Sequence, residues 1–193
     1  MTSRFGWSKM PQPKVHANRR PADLYPTPEE ATRALLKVIK FCGLVWEPAS
    51  GLGHISRVFE AAGHKVRSTD LHATTYQYGG QADFLSQSVK APNIVTNPPY
   101  KHALEFIRVG SSLANNKLAL FLPVNFLNNI GTVKLLSEIG HPHHILVLVP
   151  TLKIDMGPER GIQRSIFHHC WCVWDKTSAR QQHSNLIHID WRV

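Results

Sequence analysis

Cysteine is scarce in this chain: of 193 residues only Cys42, Cys170 and Cys172 are of that type. Three cannot pair completely and nothing points to a disulfide scaffold, so a reducing, cytoplasmic compartment is expected. Long apolar runs are lacking as well. No stretch approaches the roughly 20 apolar residues of a membrane helix, so no membrane partner is expected. The N-terminus is basic and polar, and a secretory signal is not expected there. Acids are few, 13 against 22 Lys and Arg, which leaves a formal charge of +9. Internal repeats and low-complexity blocks are missing. So are a full G-x-G-x-x-G dinucleotide fingerprint and the Lys of a phosphate-binding loop.

The charge that is present is unevenly placed. Arg4, Lys9, Lys14, Arg19 and Arg20 all precede the first acid, Asp23. A basic chain favours polyanionic partners, because each neutralised phosphate releases counterions. A solvated basic tail with no specific role fits the same residues. Residues 1–22 also hold three prolines and few aliphatics, so a flexible basic arm is expected there, followed by a single domain over 23–193. The chain length suits one hydrophobic core.

Within that domain apolar strands and helices alternate. Thr27 reads as an N-cap, Pro28 as the first helical residue, and Glu29 and Glu30 suit the positive end of a helix. Ala31, Ala34, Leu35, Val38 and Ile39 then recur at helical spacing. Leu44 to Trp46, Val66 to Thr69, Asn93 to Thr96, Leu118 to Leu122 and Ile145 to Val149 read as strands. His54 to Ala62, Ala103 to Leu113 and Gly131 to Ile139 read as helices. Phe167 to Trp174 reads as a late strand that joins the sheet antiparallel. The pattern predicts an α/β fold with a mostly parallel sheet. Ligands in such sheets bind at the carboxyl ends of strands, where Glu47, Asp70 and Asn97 all fall.

Two motifs carry chemistry. In Glu47-Pro48-Ala49-Ser50-Gly51-Leu52-Gly53-His54 a strand enters, two glycines turn the backbone and a helix leaves. Glycine serves where φ is positive or where backbone must approach a ligand closely. Glu47 and Asp70 are placed to accept hydrogen bonds from a ligand's amino and ribose hydroxyl groups. The second motif, Asn97-Pro98-Pro99-Tyr100, follows an apolar run directly. Its prolines fix the backbone and remove two N–H donors. An asparagine amide oxygen and a rigid proline carbonyl can both accept from one NH2 group, and an aromatic ring can stack on a planar π-system. The pattern fits a site that holds an amino group on a flat molecule.

These residues carry a family resemblance. Asn97 to Tyr100 after a buried strand resembles the catalytic motif of class I, Rossmann-like amino-methyltransferases that use S-adenosyl-L-methionine. Glu47 to His54 resembles their cofactor motif, Asp70 the acid that ends their second strand, and Asp83-Phe84 their third motif. Tyr25 to Pro28 resembles the N-terminal cofactor segment of some adenine-specific members. The motif order is similar to that of small phage or prophage adenine-N6 methyltransferases. The resemblance covers roughly residues 23 to 175. It implies a Rossmann-like methyltransferase domain over 23–193 and S-adenosyl-L-methionine as cofactor. It implies that Asp70 holds the ribose, Asp83 the cofactor's adenine amino group and Phe84 its ring. Ala49, Gly51 and Gly53 would line the methionine part, and Tyr25, Thr27, Glu47 and Asn97 would complete the cofactor set. Asn97 and the Pro98 carbonyl would accept the target amine's hydrogens, Pro99 would stiffen the turn and Tyr100 would stack on the base. The partner implied is nucleic acid, DNA ahead of RNA.

The histidine- and cysteine-rich stretches read as structural. His168, Cys170 and Cys172 alternate onto one face of a strand, but no second pair gives zinc spacing, so no metal is expected. His141, His143 and His144 around Pro142 read as a surface turn. The segment from Pro150 to Ser165, with Lys153, Arg160 and Arg164, reads as a functional loop for phosphate contact. Three rival functions share the motif or the charge: RNA adenine methylation, protein glutamine methylation, and nucleic-acid binding without catalysis.

Overall fold

Successive strand residues point to opposite faces, so a strand apolar at every position has to be covered on both sides. Leu118 to Leu122 is such a run. In the computed structural model, which describes residues 26–72, 76, 79–150 and 168–192, it lies at the middle of an eight-stranded sheet. The strands are β1 (Val45–Glu47), β2 (Val66–Asp70), β3 (Gly79–Gln81), β4 (Ala91–Thr96), β5 (Ala114–Pro123), β6 (His144–Val149), β7 (His169–Asp175) and β8 (Asn185–Asp190). Their order is β3-β2-β1-β4-β5-β7-β6-β8. Strand β7 runs antiparallel to β5 and β6, while the remaining pairs are parallel. This is the predicted mostly parallel sheet with an antiparallel strand near the C-terminus.

Among the described residues four helices cover the sheet, two on each face: α1 (Glu29–Val38), α2 (His54–Ala61), α3 (Ala103–Leu113) and α4 (Ile130–Ile139). Ala31 and Leu35 of α1 and Ile55 and Phe59 of α2 pack on Val95, Ala119, Phe121, Trp171 and Val173. Phe106, Ile107, Leu135 and Leu136 of α3 and α4 pack on Ile94, Leu118, Leu120, Leu122, Cys170 and Cys172. The two sets interleave residue by residue along β5 and β7, as a period of two requires. Each fully buried large side chain contributes about 1.5–3 kcal/mol. The buried tryptophans satisfy their indole N–H groups: Trp46 donates to Thr69 Oγ1 at 2.9 Å, Trp171 to the Ala31 carbonyl at 2.8 Å and Trp174 to the Gly140 carbonyl at 3.0 Å. Gly110 lets α3 sit close on β5, since a Cβ there would lie 2.7 Å from a Leu118 methyl.

Helix α1 differs from its expected start. Pro28 is the cap, with ψ of 133°, and no side chain caps the helix. The Thr27 hydroxyl turns instead toward Asn97. His143 is more than a surface turn residue: its Nδ1 accepts from the Asp175 backbone N–H at 3.0 Å and joins β6 to β7. Strands β3 and β8 have no counterpart among the expectations. Among the described residues no helix is long and apolar enough to cross a membrane.

Candidate active site

In this strand order β1 connects onward to β2 on one side, while its other neighbour, β4, connects onward to β5 on the opposite side. Such a switch point opens a crevice at the carboxyl ends of the strands. The cleft found there has a volume of ≈ 350 Å³, within the range of about 300–1,000 Å³ usual for small-molecule sites. Its walls include Thr27, Glu47, Ala49, Gly51, Asp70, Asp83, Phe84, Asn97, Pro98, Pro99 and Tyr100. The fold therefore brings together motifs that lie up to 73 residues apart in the chain, from Thr27 to Tyr100. Tyr25 lies outside the described residues, as does the segment 151–167 that holds Lys153, Arg160 and Arg164.

The glycine loop is built between β1 and α2. Gly51 and Gly53 have φ of 50° and 76°, in the left-handed region that disfavours a side chain. Gly51 N–H donates to Asp70 Oδ2 at 2.9 Å, and His72 N–H donates to Asp70 Oδ1 at 2.9 Å. Asp70 thus ties the loop to the end of β2. A carboxylate offers about four lone-pair sites, so these bonds leave acceptor capacity for hydroxyls. Gly53 stands behind the loop as the cap of α2, against the Tyr76 ring, and is not part of the cleft wall.

Glu47 is only 2% exposed. Its Oε2 accepts from Ser56 N–H at 2.8 Å and from the Ser56 hydroxyl, which in turn meets Ser68 Oγ at 2.6 Å. Burial pushes the Glu47 carboxyl up to about 8 against the lowering pull of Ser56. Asp83 caps the short turn Phe84–Ser86, accepting from Leu85 N–H at 3.0 Å and Ser86 Oγ at 2.7 Å. Phe84 is buried edge-on to Trp46, with centroids 5.3 Å apart at 77°.

On the opposite wall Asn97 Nδ2 donates to Thr27 Oγ1 at 3.0 Å. This bond fixes the orientation of the amide. Tyr100 begins a tight turn over Tyr100–His102, and its hydroxyl lies 3.0 Å from His169 Nε2. Sequence reasoning did not single out Ser50, His54, Lys101 or His102 as site residues, yet they line the cleft. Ser50 could have been found, because it lies inside the glycine motif. Its hydroxyl is buried without a hydrogen-bond partner among the described residues, a group that a polar ligand would satisfy. The contact of His169 with Tyr100 carries no local sequence signal.

No family model and no curated protein matches the chain. Solved structures do. A candidate RNA methyltransferase from Pyrococcus horikoshii superposes with a TM-score of 0.63 at 14% identity, over 80% of this chain and 87% of that one. A candidate class I S-adenosylmethionine-dependent methyltransferase from Listeria monocytogenes gives 0.60 at 14% identity, over 84% of this chain and 65% of that one. The M protein of the type I restriction enzyme EcoKI gives 0.59 at 16% identity, over 83% of this chain and 46% of that one. The chain thus spans under two thirds of the length of the last two. At these identities the likeness is one of fold: the chain has the Rossmann-like methyltransferase fold.

Proposed function

We propose that the chain is an S-adenosyl-L-methionine-dependent methyltransferase acting on an exocyclic amino group, adenine N6 in DNA foremost. The observation that carries this reading is the convergence of Asn97 to Tyr100 and the glycine loop on one cleft, with the Asn97 amide fixed by Thr27. The residues fit the cofactor. Gly51 and Ala49 offer close backbone, Asp70 and Asp83 offer carboxylates, Phe84 offers an apolar wall and Ser50 a hydroxyl that is unsatisfied among the described residues. The cofactor supplies an electrophilic methyl group on a sulfonium.

The chain's own residues do the rest. An adenine amino nitrogen is a poor nucleophile because its lone pair is delocalised into the ring. Asn97 Oδ1 and the Pro98 carbonyl accept its two hydrogens and favour a pyramidal nitrogen, whose lone pair then points along the transfer axis. As the C–N bond forms, the S–CH3 bond would break to leave a neutral thioether, and one of the two hydrogens leaves as a proton. No covalent enzyme intermediate is needed; positioning and electrostatics supply the rate. A base inside a duplex cannot reach such a cleft, so it is extruded or already unpaired, and Tyr100 stacks on it. Tritiated methyl transfer to duplex DNA, single-stranded DNA, RNA and total protein, followed by digestion and mass analysis, tests the reading. N6-methyladenine in DNA is the expected product. Label in RNA or in protein glutamine would reassign the substrate, and no label in any of them would remove the activity.

A further inference from the structure

His169 opens β7 and is 8% exposed. Its place is set by strand pairing, opposite Pro123 of β5. Its ring stacks on Phe121, with centroids 5.1 Å apart and planes at 18°. Nε2 then lies 3.0 Å from the Tyr100 hydroxyl, and the two rings stand 5.9 Å apart at 36°. A buried imidazole held between a core phenylalanine and the cleft therefore grips a tyrosine 69 residues away. Tyr100 itself sits on a three-residue turn and is only half-buried, so the turn alone does not fix the ring.

We propose that His169 is a positioning residue: it holds the Tyr100 ring as a rigid stacking wall, so that the site selects a planar heteroaromatic amine over a flexible side-chain amide. The inference rests on the amino-methyltransferase reading and narrows its substrate class. With its hydroxyl engaged by His169, Tyr100 meets the substrate through its face. A face held in place loses no rotamer freedom when a flat ring stacks on it. A side-chain amide has no extended π-surface to profit from that wall.

A double-mutant cycle tests the role. His169→Phe keeps the stack on Phe121 and removes the nitrogen; Tyr100→Phe removes the same bond from the other side. Each is expected to raise the oligonucleotide KM roughly threefold to tenfold, the factor set by one neutral hydrogen bond. Cofactor affinity and melting temperature should hold. The double variant should be no worse than either single one, and His169→Gln, which still offers an amide to the phenol, should recover most of the loss. 2-Aminopurine at the target position, quenched when stacked, should brighten in both single variants. Additive losses, an unchanged KM in both variants, or losses that follow melting temperature alone would overturn the role. Should His169→Phe not fold, an unchanged KM and unchanged quenching in Tyr100→Phe overturn it. A wild-type chain that methylates bases while the cycle is additive refutes only this role. A wild-type chain that methylates no amine refutes the function itself.

Discussion

Asn97 is held from outside its own motif. Its amide nitrogen donates to Thr27 at 3.0 Å, which fixes the orientation of the amide. Asn97→Ala should lower turnover about a hundredfold to a thousandfold, as loss of one transition-state hydrogen bond does, with cofactor affinity nearly unchanged. Normal activity per folded molecule, with only a lower melting temperature, would reduce Asn97 to a turn residue. Glu47 allows a second test at this scale. Its folded value of about 8 stands above the ordinary value of 4.5. Between those values the folded state binds more protons than the unfolded one, so its stability is fully present below about pH 4.5 and is lost as pH rises through about 8. For one such group the slope reaches at most about 1.4 kcal/mol per pH unit. Glu47→Gln should flatten the fall in melting temperature between pH 5 and 8; an unchanged profile would mean that Glu47 is not the titrating group. The sequence predicts Asn97 and Glu47 at the carboxyl ends of strands, and the fold brings both to one cleft. The sequence could not show that Glu47 turns inward to Ser56 or that Thr27 serves Asn97, because both contacts depend on how separate elements dock.

At the scale of elements, apolar periodicity made most of the sheet legible. The α3 helix matches its expected span, Ala103 to Leu113, because period and bounding residues agree there. The β8 strand, Asn-Leu-Ile-His-Ile-Asp, is mostly exposed at the sheet edge and is ordered by parallel pairing with β6; such a strand has little apolar signal of its own. The Gly79–Gln81 strand is exposed throughout and equally silent. The glycine loop was readable, but the reasons for its two glycines differ. Gly51 lines the cleft, whereas Gly53 caps α2 in the left-handed region and lies under the Tyr76 ring, which an added Cβ would strike. Gly53→Ala should therefore cost about 2–3 kcal/mol from backbone strain and the clash, and lower the melting temperature by several degrees. Thermal unfolding checks this, and the destabilisation should shrink in a Tyr76→Ala background. An equal effect in both backgrounds would sink the steric account.

For the whole molecule, the excess of base over acid, 22 to 13, joins the fold to its proposed substrate. Several cations of the folded body are already matched: Arg33 with Glu29, Arg108 with Glu138, Lys117 with Asp175 and Arg192 with Asp190. The five cations that precede Asp23 meet no acid within their own stretch of sequence. If they neutralise phosphates, removing residues 1–22 should leave melting temperature and cofactor affinity intact and weaken binding to an oligonucleotide. The logarithm of affinity against the logarithm of salt concentration should also become shallower, by about 0.7 to 0.9 for each phosphate no longer neutralised, the smaller value holding for single strands. The slope is a better measure than affinity at one salt concentration, because a folding defect lowers affinity without changing how many counterions are released. It also separates the arm from the body. If all five cations sit on phosphates, the deletion should change the slope on duplex DNA by about 4 to 5 units. A change of only about 1 to 2 units would assign most of the phosphate neutralisation to cations of the folded domain. An identical slope before and after deletion would make the arm a bystander and leave the domain's own surface as the part that holds nucleic acid.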